Sequence, residues 1–208
     1  VPGSVHDALL GAGKLPDVHA GYGERDQLWV GDRTWIYRRA FDLSGDQLAH
    51  EHLDLVADGL DTFCAIRVNG CFLARTDNMF RGWRFAAKQI LRQGRNEIEL
   101  TFEPAAEVMR AGTASRHLPA WNELEPGRTW GPIGRGYVRK QACQFGWDWG
   151  PQCPSAGPWL PLRLECWSTA RIEDWRLEQK HLRDGSVALA LYTKPNTGAD
   201  VAVAASFS

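Results

Sequence analysis

The sequence predicts an all-β protein, a β-sandwich over residues 1–167 followed by the start of a second β unit over residues 168–208. Three observations carry this reading. Apolar and polar side chains alternate at the two-residue period of a half-buried strand in stretches at 34–43, 51–57, 62–68, 96–102 and 160–167. Asn69-Gly70 stands between two apolar runs, and that dipeptide supplies the positive φ angles of a type I′ hairpin. Helix signals are confined to a few short segments, too few for a helical core.

Composition sets the outer limits. With 208 residues, 44% of them hydrophobic, the chain is long enough to bury a real core. A net charge of −1 gives no basic excess for nucleic acid or an anionic membrane surface, so neither is an expected partner. No apolar run approaches the roughly 20 residues that cross a bilayer. Val1-Pro2-Gly3-Ser4 has neither the basic nor the apolar region of a signal peptide; a leader removed earlier would leave no trace, so no compartment is assigned. The five cysteines are odd in number and contain no C-x-x-C. They therefore read as buried free thiols rather than a zinc site or a disulfide framework, with a single disulfide left open.

Taken in order, Ser4-Val5-His6-Asp7 matches a capping box ahead of Leu9 and Leu10, with Gly11 and Gly13 to end a short helix. Residues 15–32 carry no period and read as a long surface arm pinned by Trp29. In 34–43, Trp35, Tyr37 and Phe41 fall at even spacing, as on a pleated, half-buried strand. Leu53, Leu55 and Ala57 mark a second strand, and Cys64, Ile66 and Val68 a third, which the Asn69-Gly70 turn pairs with 71–75. Residues 77–81 read as an irregular crossing, 83–86 as extended, and 88–91 as one helical turn before Gly94. Ile98, Leu100 and Phe102 give another strand, and 104–111 a short helix. The aperiodic stretch onward to Arg135, with Trp121 and Trp130, is long enough to predict a functional or covering loop. Leu160, Leu162, Leu164 and Cys166 alternate in a strand that closes the first domain at Trp167. Beyond Ser168-Thr169-Ala170, strands are expected at 171–177, 186–192 and 201–205, with Asp184-Gly185 as a turn and 176–184 as a solvated, charged face. So small a sheet buries too little apolar surface alone, so residues 168–208 read as the beginning of a larger domain.

The stretch with the clearest chemistry is Phe145-Gly146-Trp147-Asp148-Trp149-Gly150-Pro151. Two indoles flank a carboxylate, and the glycines and Pro151 shape the backbone into a tip. On a continuous strand Trp147 and Trp149 would share one face and Asp148 the other. Residue types leave open a structural aromatic corner and a ligand site.

The motifs Pro2-Gly3-Ser4-Val5-His6, Trp35-Ile36-Tyr37-Arg38-Arg39-Ala40-Phe41, Gly59-Leu60-Asp61-Thr62-Phe63, Val68-Asn69-Gly70, Asp77-Asn78-Met79-Phe80-Arg81 and Arg139-Lys140, followed by the Trp147-Asp148-Trp149 segment, resemble the N-terminal region of glycoside hydrolase family 2 β-mannosidases. Gln141-Ala142-Cys143-Gln144 departs from the Ala-Gln-Tyr-His run more usual there. The resemblance implies a jelly-roll, galactose-binding-like β-sandwich and then an immunoglobulin-like domain. It also implies a (β/α)₈ barrel, outside this sequence, that carries the catalytic carboxylates of a retaining mechanism. No catalytic residue is therefore assigned here, and Asn122-Glu123 is read as a chance dipeptide in a loop. By the resemblance, Trp147, Asp148 and Trp149 reach the barrel's mouth and contact a terminal β-mannoside. Two other readings accompany it: an autonomous carbohydrate-binding module, and a scaffold for a family 2 glycosidase of another specificity. No cofactor is expected. His50-Glu51-His52 offers two imidazoles without a third ligand, so no metal is assigned. Arg81, Trp83 and Arg84 have the chemistry to stack on a sugar or base, but such clusters more often close the edge of a core.

Overall fold

Ser4 accepts from the Asp7 amide while Asp7 reaches back to Ser4, and this reciprocal cap starts α1 (Val5–Gly11). The computed structural model describes residues 1–116, 118, 134–197 and 201–206. Val5 and His6 are buried on α1, whose entry is fixed by the Val5 amide donating to Ala156 O and the Gly3 amide to Pro158 O. The arm after it is more ordered than its composition suggests. It holds α2 (Gly23–Gln27) and a 3-10 turn (Leu28–Asp32), and its anchors are Gln27 and Val30, both almost fully buried. Trp29, the expected pin, stays 42% exposed and only leans on Trp35.

Two antiparallel sheets form the sandwich. One has the order β1 (Trp35–Leu43), β6 (Gly94–Glu103), β3 (Phe63–Val68), β4 (Cys71–Asp77); the other runs β5 (Trp83–Ala86), β2 (His52–Ala57), β9 (Leu162–Trp167). Leu53, Leu55 and Ala57 of one sheet meet Cys64, Ile66, Val68, Ile98, Leu100 and Phe102 of the other in one apolar cluster. These are the residues that alternate in the sequence, because period-two placement sends every second side chain to the shared face. Asn69 and Gly70 have φ of 52° and 79°, so the β3–β4 turn is the predicted hairpin. Between β1 and β2 lies α3 (Gly45–Ala49), capped by Ser44 and Gln47. The Ser-x-x-Gln spacing announces it, but five residues are too few to show a helical period. The helix expected at 104–111 extends as α4 (Ala105–Ser115). Two short strands, β7 (Phe145–Trp147) and β8 (Gly150–Gln152), stand apart as a two-stranded sheet.

Past β9, β10 (Ile172–His181) and β11 (Val187–Pro195) pair as a long antiparallel hairpin. Residues 201–205 form no strand; alternation there is Val and Ala only, and pattern alone cannot replace a pairing partner. The five cysteines are free, but only Cys64 is buried. Cys71 is exposed and the other three are intermediate, which corrects the expectation of buried thiols.

His6 is only 6% exposed, and neither ring nitrogen has a hydrogen-bond partner. Burial lowers its pKa from 6.5, with the Asp7 carboxylate opposing and the Lys140 ammonium adding to the effect. The unfolded chain thus takes up this proton at a higher pH than the folded one, and stability falls as pH drops through about 6.5. The thermal midpoint is expected to decline more from about pH 8 to about pH 5.5 for the wild type than for His6→Phe. Equal slopes would show that His6 carries no part of the acid sensitivity.

Candidate functional site at the 145–152 hairpin

The hairpin is built from its glycine outward. Phe145 lies opposite Gln152 and Trp147 opposite Gly150, which leaves Asp148 and Trp149 as the two residues of the turn. The chain thus bends directly after Trp147, and the expected arrangement of both indoles on one strand face does not occur. The tip itself was foreseen; its placement was not, because period-two reasoning assumes an uninterrupted strand. Gly146 has φ of 97°, a left-handed backbone that favours glycine, and a Cβ there would stand 2.7 Å from Gln152 Cγ and push that side chain aside. Pro151 is tolerated because, among the described residues, this sheet has two strands and no third strand seeks its missing N–H. Trp147 is partly buried, whereas Asp148 is exposed and Trp149 is 76% exposed.

Beneath the tip the hairpin is clamped. Phe145 packs with Met109 and Val138, supported by Phe63 and Ala105. Lys140 and Asp61 form a buried ion pair, 6% and 3% exposed. Lys140 Nζ donates to both Asp61 oxygens at 2.6 Å and to Ser155 O at 2.7 Å, so all three of its protons are placed. Burial lowers the Lys140 pKa while the Asp61 charge pulls it back up. Thr62 also donates to Asp61. Gln144 donates to Asp61 Oδ2 at 2.8 Å and accepts from the Ser155 amide at 3.1 Å. This amide occupies the departure from the usual Ala-Gln-Tyr-His run, and it satisfies a donor and an acceptor at once. The Cys153 amide closes the base onto Gln144 O, and the Gln152 amide donates to Glu24 of α2 at 2.9 Å. A cavity of about 250 Å³ lies under the hairpin, lined by Phe145, Gln152, Asp61 and Lys140 among others, and not by the three tip residues.

Asp61 and Lys140 were given no role from the sequence, since two charges 79 residues apart share no period. The Asp77–Arg81 block belongs to the same support. The Met79 amide donates to Arg139 O at 3.0 Å, Trp83 Nε1 to Asn78 O and Trp159 Nε1 to Met79 O, both at 3.3 Å. Arg81 lies over the Trp83 ring at 4.3 Å, and Arg84 pairs with Asp54 and Glu165. His50 and His52 go separate ways: His50 Nδ1 meets Ser168 Oγ at 3.2 Å, and His52 stacks on Trp167 with ring centroids 3.9 Å apart. Trp121, Asn122, Glu123 and Trp130 lie outside the described residues.

Chemically, the tip offers one carboxylate for accepting hydroxyl protons and one indole face for an apolar ring surface. It is an exposed surface rather than an enclosed pocket. No helix among the described residues is long and apolar enough to cross a membrane.

The fold has its counterpart in a known family: residues 1–160 match the model of the glycosyl hydrolase 2 galactose-binding domain-like family, and the chain belongs to it. Within that family it is similar to β-mannosidases. It is 31% identical to the β-mannosidase of Mus musculus over 83% of this chain and 20% of that protein. It is 36% identical to β-mannosidase B of Aspergillus terreus over 84% of this chain and 20% of that protein. The crystal structure of the β-D-mannosidase from Dictyoglomus thermophilum superposes with a TM-score of 0.80 at 31% identity, covering 95% of this chain and 23% of that one. An exo-chitosanase from Amycolatopsis orientalis, at 14% identity and a TM-score of 0.68, shares the fold. The chain thus spans about a fifth of the length of the curated relatives it matches.

Proposed function

We propose that this chain is the non-catalytic front part of an exo-acting, retaining β-mannosidase, and that Asp148, flanked by Trp147 and Trp149, contacts the terminal mannose. The carboxylates that cleave the bond stand on a (β/α)₈ barrel elsewhere in the longer protein; a retaining pair would sit about 5–5.5 Å apart. One observation carries the reading: a charged residue and a large indole are exposed at the two-residue turn of a hairpin whose root is locked by a buried ion pair. A carboxylate takes hydroxyl donors and an indole covers the apolar side of a sugar ring, so a rigid tip with both suits one wall of a sugar site.

Residues 168–208 are the beginning of an immunoglobulin-like domain. By the pairing of β10 with β11, Trp175, Leu177, Leu189 and Leu191 share one face, and Trp175 and Leu189 are 65% and 45% exposed. A two-stranded sheet with such a face needs more strands over it.

The test compares the full-length protein with the 208-residue chain on an aryl β-mannoside. Hydrolysis is expected from the first and none from the second. Turnover that copurifies with the 208-residue chain would overturn the non-catalytic assignment, and a full-length protein inactive on β-mannosides but active on another glycoside would overturn the specificity. Saturable mannose binding by the 208-residue chain alone would replace the reading with an independent sugar-binding module.

A further inference from the structure

The segment joining the sandwich to the β10–β11 hairpin, which the sequence offers only as a separator, is held on all sides. Ser168 Oγ accepts from the Glu51 amide at 3.0 Å and meets His50 Nδ1 at 3.2 Å. The Thr169 amide donates to Glu51 Oε2 at 3.1 Å. Thr169 has φ of 65°, a left-handed conformation that a β-branched residue adopts only when its surroundings impose it. Trp167 has two ring contacts: His52 stacks on it at 3.9 Å with the planes 15° apart, and the Arg171 guanidinium lies 5.6 Å from its centroid. Its indole N–H donates to Asp54 Oδ2 at 2.9 Å, and Asp54 belongs to the central strand β2. On the far side, Arg171 O accepts from the Asn196 amide at 2.8 Å, so the start of β10 is tied to the end of β11.

From this we infer that residues 50–52 and 167–171 form a locked joint, with Glu51 and His52 as positioning residues that fix the direction in which β10–β11 leaves the sandwich. The physical reason is redundancy. A free linker of three residues would sample many φ/ψ states, yet here a strained residue, a charge-assisted hydrogen bond and an aromatic stack all select one. The motif His50-Glu51-His52, set aside as a metal site, has this role instead: a polar clasp at the mouth of β2. Its consequence is that the Asp148 tip and the β10–β11 hairpin are carried in a fixed mutual geometry, as a site shared between domains requires. The joint stands or falls independently of the glycosidase reading, because its test involves no sugar and no activity.

That test is made on the full-length protein, isotope-labelled only over these 208 residues, by residual dipolar couplings and amide exchange, in the wild type, Glu51→Ala, Glu51→Gln and His52→Ala. In the wild type one alignment tensor is expected to fit the amides of both the sandwich and β10–β11, and the Thr169 amide to be protected. Glu51→Ala should speed Thr169 exchange by roughly tenfold or more, the equivalent of one charge-assisted hydrogen bond, and require a separate tensor for the hairpin. Glu51→Gln keeps an acceptor and should retain the single tensor. His52→Ala should loosen the hairpin while leaving the couplings within the sandwich, at Ile66 and Phe102, unchanged. Two tensors in the wild type, or a Glu51→Ala variant indistinguishable from it in both measurements, would overturn the joint.

Discussion

Asp148→Asn in the full-length protein is expected to lower kcat/KM for an aryl β-mannoside by roughly ten- to more than a hundredfold, while the thermal midpoint barely moves. The substitution keeps the shape of the side chain but removes its charge and turns one acceptor into a donor. Charge-assisted hydrogen bonds to hydroxyls contribute on the order of 1.5–3 kcal/mol, which is that range of rate. Asp148 is exposed at a turn, so stability has little to lose. The opposite pattern, a lowered midpoint with normal kinetics, would make Asp148 a structural residue and end its role in substrate binding.

Lys140→Met is expected to do the reverse. It strands the Asp61 carboxylate, 3% exposed, without its counter-charge, leaving only the neutral donors Gln144 and Thr62. Removing one partner of a buried pair costs about 3–5 kcal/mol, on the order of 10 °C in thermal midpoint for a domain of this size. The double variant Lys140→Met with Asp61→Leu should recover much of the loss, because two apolar side chains leave no buried charge to desolvate. A single variant that melts within about 1 kcal/mol of the wild type would show that the pair does not clamp the hairpin root. Together the two experiments separate a substrate contact at Asp148 from the ion pair that holds the hairpin root in place.

Much of the fold was legible because it rests on local rules. The capping box at Ser4, the Asn69-Gly70 turn and the alternation at Cys64, Ile66 and Val68 each involve residues within a few positions of one another, and each appears in the structure as read. Where the rule needs a partner, pattern falls short: 201–205 alternate but form no strand among the described residues, and the arm predicted to be pinned by Trp29 is anchored by Gln27, whose buried amide donates to Pro16 O.

The candidate site divides in the same way. The sequence by itself determined that an indole–carboxylate–indole segment framed by glycines would form a shaped tip, since glycine permits φ values closed to other residues. Only the tertiary structure decided that Asp148 and Trp149 occupy the turn, that Asp61 and Lys140 lock its base, and that Glu51 reaches Thr169 across 118 residues of chain. The physical reason is that turn and strand preferences are written in neighbouring side chains, whereas a buried ion pair forms between groups whose meeting depends on how every intervening element packs.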